Sequence, residues 1–259
     1  MSATGNVRVR ESYCVPSKIF YINGMIAPLD DAQAHADEIQ RIASAEVELH
    51  YNDTTPKDIT VAMVVKTLAG AVLLGGAVGY KKKTSREKNV AIVVGAVGVG
   101  LICSALYDYN QIQNKKNESA QQLASKVVRH LKDPSRLGNV ILILHSQGAD
   151  IGIRAIERLQ DYKDRIDVIT IGGMVDIPNE FANRVVNFVD EKDMIARFAK
   201  GLFGTLSHIA ISLPVTYTNQ VTKNKDCKTP FCHGSSDHFR VSDIQEVIAE
   251  LCKPKTLSW

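Results

Sequence analysis

Ser146 stands where a nucleophile could be presented. Asn139–Leu144 (NVILIL) is an uncharged apolar run, and it passes directly into His145-Ser146-Gln147-Gly148 and then into a helical pattern that extends to about Tyr162. Such a run is expected as a buried strand at the centre of a parallel sheet. A serine on the sharp turn from that strand into a helix is held in a strained backbone conformation with its hydroxyl offered for attack. The helix N-terminus behind it favours developing negative charge, so the Gln147 backbone N–H is a candidate oxyanion donor. Gly148 permits close strand–helix approach two residues after the serine. Two residues before it stands Leu144, so the G-x-S-x-G pattern is half present, and Leu144 needs space from its surroundings. A second oxyanion donor is expected from the turn Asn23-Gly24-Met25, through the N–H of Met25 or of Gly24.

A serine nucleophile needs a base and an acid that orients it. In the order Ser…acid…His, the acid should follow a later strand. Arg184–Val189 is such a strand, and Asp193 beyond it is the preferred acid, followed by Asp190 and then Asp176. His238, in a loop before the last helix, is the preferred base, and His233 is the alternative. His145 is expected to point away from Ser146 as a structural or pocket-lining residue. His35, His50 and His130 fall in early elements, and His208 is a weak binding candidate. No metal or organic cofactor is called for. Cys227, Cys232 and His233 lack the second ligand pair of a zinc site and read as a local disulfide or two loop thiols. Cys14, Cys103 and Cys252 read as small buried hydrophobes.

The elements that must position these groups alternate. Lys18–Met25 reads as a strand and a turn, and Asp30–Ala45 as a helix burying Ala32, Ala36, Ile39, Ile42 and Ala43. Val47–Tyr51 is a second strand, Glu118–Leu131 an amphipathic helix, Ile166–Ile171 a further strand and Asp243–Cys252 a final helix. This β-α-β order predicts an α/β fold: a central, mostly parallel sheet flanked by helices, with right-handed crossovers.

Residues 59–107 interrupt that rhythm. Ile59–Tyr80 is apolar apart from Lys66 and two threonines, Val90–Tyr107 is 18 residues without a charge, and KKKTSREKN joins them. Eighteen such residues reach the length of a transmembrane helix. Gly75 and Gly79 offer a small-xxx-small surface for helix packing. The domain is therefore expected as 1–58 plus 108–259, with 59–107 an inserted apolar hairpin that serves as membrane anchor or lid. Two helices apolar all round have little room inside the remaining 210 residues, which favours the membrane. The Lys-rich loop would then lie on the side where Lys and Arg are retained, with the domain opposite. The first residues contain no apolar signal segment.

Composition agrees with this division. The chain has 259 residues, 45% of them apolar and 23% charged, which excludes disordered and collagen-like classes. Its formal charge of +3 arises in the insertion, where six of the seven charged residues are cationic. The rest of the chain is slightly acidic, so no basic footprint for nucleic acid remains. The sequence assigns no oligomeric state.

FYINGM, VILILHSQGADIG, NFVDEKDMI and DHFRVSDI resemble the α/β-hydrolase superfamily, in particular lipase- and esterase-like members with an HSQG nucleophile elbow. The resemblance implies a triad of Ser146, Asp193 and His238 acting on an acyl or lipid ester. YINGM with DAQAHADEI, VELHYND and HSQGA is also similar to an uncharacterised chlamydial family with a hydrolase-like core, and the apolar hairpin is similar in shape to that of chlamydial inclusion-membrane proteins. Three readings follow: a serine hydrolase acting on an ester or thioester at a membrane, a catalytically inactive, membrane-tethered binding or effector protein on the same scaffold, or a soluble hydrolase with residues 59–107 as lid or dimer interface.

Overall fold

The computed structural model describes residues 14–15, 18–24, 27–53, 57–79, 85–136, 138–190, 219–222, 242–252 and 255–256. A six-stranded, wholly parallel sheet organises them. Its strands are β2 (Lys18–Ile22), β3 (Val47–His50), β4 (Val140–His145), β5 (Ile166–Ile171), β6 (Arg184–Asp190) and β7 (Asn219–Thr222), in the spatial order β3-β2-β4-β5-β6-β7. Ile22 sits opposite His50 on one side and Leu144 on the other. A separate antiparallel pair joins β1 (Cys14–Val15) to β8 (Lys255–Thr256).

Two apolar layers hold helices to the sheet. On one face Ile19, Tyr21, Ile141, Ile143 and Ile169 pack against Ala36 and Ile39 of α1 (Leu29–Ala43) and Ile244 and Ile248 of α5 (Ser242–Leu251). On the other, Phe20, Leu142, Leu144 and Val168 meet Leu123, Val127 and Leu131 of α3 (Ser85–Lys132) and Ile151 and Ala155 of α4 (Gly148–Ile156). Every residue of β2, β4 and β5 is buried, the mark of central strands covered on both faces. Ala32, Ala36, Ile39 and Ala43 line the buried side of α1 at the expected spacing. The helix expected to reach Tyr162 changes at Glu157 into a 3-10 segment that runs to Arg165.

The insertion forms α2 (Lys57–Gly79) and the first part of α3. The expected boundary at residue 107 is absent. α3 runs unbroken for 48 residues, so the helix expected at Glu118–Leu131 is its C-terminal third. At 1.5 Å per residue it is about 72 Å long. The two inserted helices cross where a Cβ on Gly98 would lie 3.0 Å from the Gly70 carbonyl oxygen. Gly75 has open space around it and does not carry the packing expected of it. Lys66, the lone charge in the apolar part of α2, donates to Asp108 Oδ2 at 2.6 Å.

These helices are not a buried pair. Leu68 is 63% exposed and Val72 73%, and Val90, Ile92, Val93, Val97 and Leu106 are exposed along α3. Cys103, expected to be buried, is exposed; Cys252 is buried. From Asn89 onward α3 is long and apolar enough to cross a membrane, while the apolar part of α2 among the described residues is the shorter Val65–Gly75.

Candidate functional site

The chain leaves β2 toward β3 and leaves β4 toward β5, so its connections diverge between β2 and β4. In open α/β sheets ligands bind in the crevice outside the carboxyl ends of strands at such a point. Ser146 follows β4 there, and Asn23-Gly24 follows β2.

Ser146 has φ +53°, the left-handed region that non-glycine residues rarely occupy. Such a conformation costs on the order of 1–3 kcal/mol and survives where the surroundings over-determine it. Here they do. The Ser146 N–H donates to the Ile171 carbonyl, and the Ser146 carbonyl accepts from the N–H groups of Ala149 and Met174, each at 3.1 Å. The residue is only 3% exposed.

Three glycines let the backbone close around it. A Cβ on Gly148 would lie 2.5 Å from the Ile22 carbonyl oxygen, so α4 begins against the end of β2. A Cβ on Gly24 would lie 2.9 Å from both Ser146 Cβ and His145 Nδ1, which places the β2 turn directly against the serine. Gly152 accommodates Leu144. A Cβ there would fall 2.3 Å from Leu144 Cδ1, so the room that the leucine needs comes from the helix rather than from a neighbouring strand.

A buried amide network ties the three strand ends together. The Asn52 backbone N–H donates to Asn23 Oδ1 at 2.6 Å, and Asn52 Nδ2 donates to Gln147 Oε1 at 3.0 Å. Asn23 Nδ2 donates to the Gly24 carbonyl at 2.9 Å. The turn after β2 and the residue after Ser146 are thus fixed relative to each other through Asn52. Asn52 is not among the residues expected at the site. Its signal was a polar Tyr-Asn-Asp following a strand in the layer that must face the crevice.

Charge beside the site is compensated. Asp150, in the first turn of α4, accepts from Lys116 Nζ at 2.8 Å and from Arg154 Nε at 2.9 Å. Burial pushes its carboxyl up, but Lys116 and Arg154 outweigh that and hold it below the usual carboxylate range. Arg154 also reaches Asn117 and Gln113, so α4 is fastened to α3. His50, at the end of β3, lies 2.9 Å from Ser119 Oγ of α3. Burial, helped by Lys126, lowers its pKa to about 4.

The expected site residues divide accordingly. Ser146, Gln147, Gly24 and His145 come together at the carboxyl ends of β2 and β4. His145 contacts the Gly24 turn beside Ser146. Asp190 ends β6, and Asp176 lies two residues beyond Met174, whose N–H meets the Ser146 carbonyl. Asp193, His238, Met25, His233, His208, Cys227 and Cys232 lie outside the described residues. Among the described residues no group of three His, Cys, Asp or Glu side chains is arranged to hold a metal ion. Two surface depressions, one lined by Asp37, Arg41 and Glu46 and the other by Ala124, Val128 and Arg158, lie away from Ser146.

No protein-family model matches this chain, and no curated protein matches it.

Proposed function

We propose that this protein is a serine hydrolase of α/β-hydrolase type that cleaves an ester or thioester of an acyl or lipid substrate at a membrane. The observation that carries the reading is the left-handed backbone of Ser146 on the β4–α4 turn, held by backbone hydrogen bonds to Ile171, Ala149 and Met174 directly after a buried central strand. Its placement at the switch point of the sheet supports the same reading.

In the proposed cycle Ser146 Oγ bonds to the substrate carbonyl carbon while its proton passes to His238. The tetrahedral oxyanion accepts hydrogen bonds from the Gln147 and Met25 N–H groups. Collapse breaks the bond to the leaving oxygen or sulfur, which takes the proton from His238 and departs as alcohol or thiol. Water, losing its proton to His238, then attacks the acyl carbon. The Oγ–acyl bond breaks, Ser146 recovers a proton, and the carboxylic acid leaves. Asp193 holds the His238 tautomer. Asp193, His238 and Met25 are assigned by chain order, and the cycle needs no metal or organic cofactor.

We propose further that α2 and the apolar part of α3 enter the membrane as a hairpin. The exposed apolar surface of Leu68, Val72, Ile92 and Val93 supports this, as does the pairing of Lys66 with Asp108.

The test is a fluorophosphonate probe with turnover of a short p-nitrophenyl ester. Wild type is expected to be labelled and active, and Ser146→Ala to be neither. An unlabelled wild type, or normal turnover by Ser146→Ala, would overturn the assignment; the first result would favour the non-catalytic binding reading.

A further inference from the structure

The hairpin leaves the sheet at the edge that holds Ser146. β3 and β4 are both parallel to β2, so their carboxyl ends share one edge. The chain enters α2 after β3, returns along α3 and reaches Ser146 only after β4. The helix contacts give the same polarity. Near its start α4 meets α3 through Asp150–Lys116, and at the end of the 3-10 segment that follows α4 the Arg165 side chain donates to the Leu131 carbonyl at 3.0 Å. The two helices therefore run the same way, and the start of α4, with Ser146 before it, lies toward the hairpin.

The height of the crevice follows. The uncharged stretch of α3 ends at Tyr107. Tyr107 and Tyr109 are exposed there, and the Lys66–Asp108 pair lies at the same level. Tyrosines and a paired charge mark the rim of a hydrocarbon layer. From Tyr107 to Lys116, where α3 grips α4, the helix rises about 14 Å, with Ser146 one turn nearer the hairpin than Asp150. The 18 residues before that rim span about 27 Å, close to the ~30 Å of a hydrocarbon core. The occupant that fits the exposed apolar surface is therefore a lipid bilayer.

We infer that the hairpin holds the Ser146 crevice facing the bilayer at headgroup level, so that the substrate class is the acyl ester of a bilayer-resident lipid. This rests on the hydrolase and membrane readings above. The ester bonds of such lipids lie between headgroup and acyl chains, at the level the crevice faces. Attack by Ser146 transfers the acyl group to Oγ and releases the lipid alcohol, and water then releases the fatty acid.

Two measurements on the full chain in vesicles of phosphatidylcholine with a minor fraction of phosphatidylglycerol test this. The first is orientation. Asp53 and Glu46 are exposed at the carboxyl and amino ends of β3. A fluorescent amino acid replacing Asp53 is expected to be quenched by brominated lipid, and one replacing Glu46 to stay bright. Equal quenching, the reverse pattern, or failure of the protein to float with the vesicles would overturn the inference. The second is chemistry. Wild type is expected to release fatty acid from the vesicles and to cleave a soluble p-nitrophenyl ester. The double variant Leu68→Lys, Val93→Lys puts charge on the exposed apolar surface. It should keep soluble-ester turnover and lose about tenfold or more of the lipid release, because substrate is no longer positioned. Soluble-ester turnover by wild type without lipid release would overturn this inference while leaving the hydrolase reading intact. Absence of both activities would overturn the hydrolase reading itself.

Discussion

Leu144 and Gly152 are matched in shape. The leucine stands two residues before Ser146, and the helix opposite has no Cβ at Gly152, where the leucine side chain enters. Gly152→Ala would drive a methyl to within 2.3 Å of Leu144 Cδ1. Such overpacking typically costs about 1–3 kcal/mol. Leu144→Ala alone leaves a cavity, at about 2–5 kcal/mol. The double variant is expected to be more stable than the sum of the two losses. Urea midpoints of the four proteins measure the coupling, and strict additivity would contradict the pairing.

Replacing Ser146 separates strain from chemistry. Ser146→Ala keeps a Cβ at φ +53°, whereas Ser146→Gly removes the conflict. The glycine variant is expected to be more stable than the alanine variant by about 1 kcal/mol, with both inactive. Thermal melts of the two proteins check it, and equal melting temperatures would mean that the turn carries no strain.

The grip of α3 on α4 depends on the Asp150 carboxylate. Its pKa is lower in the folded chain than unfolded. Its contribution is therefore fully present above the unfolded value of about 4 and is lost as pH falls through the folded value. Asp150→Asn leaves Lys116 in a site where it is only 8% exposed, and the expected loss at neutral pH is about 2–4 kcal/mol. A pH series of urea midpoints should show the gap between wild type and variant closing in acid.

His50 acts at milder pH. The folded state holds it neutral down to about pH 4, whereas an unfolded histidine takes a proton near pH 6.5. Between these values the unfolded chain binds more protons, so stability falls as the solution is acidified from about 6.5 to 4. His50→Gln is expected to flatten that part of the profile. An unchanged slope would place the titrating group elsewhere.

The α2–α3 crossing is testable by size alone. Gly98→Leu forces a side chain into the Gly70 backbone and should separate the helices, seen as faster proteolysis of the hairpin. Gly75→Ala, with open space around the position, should behave as wild type.

The central strands were legible because residues buried on both faces leave uninterrupted apolar runs, as in Val140–Leu144. Ser146 was legible because such a run ended on it. β7 was not, since Asn219–Thr222 (NQVT) has no apolar run to announce it. The continuity of α3 was hidden for another reason. Hydropathy changes at Tyr107, but no glycine or proline intervenes between Gly100 and Pro134, so nothing stops the helix where its surroundings change. The Leu144–Gly152 pair was out of reach, because it joins residues whose proximity only the folded turn creates.

The antiparallel pairing of α2 with α3 also bears on how the sheet assembles. β2 must find β4 across more than a hundred residues, with Lys18 opposite Val140, and closing so long a loop is slow. Once Lys66 meets Asp108 and Gly70 meets Gly98, the two ends of the insertion are already side by side. The loop that remains to be closed is then shorter by most of the inserted segment, and its entropy falls with it. A hairpin that forms first would thus shorten the search for the strand pairing that positions Ser146.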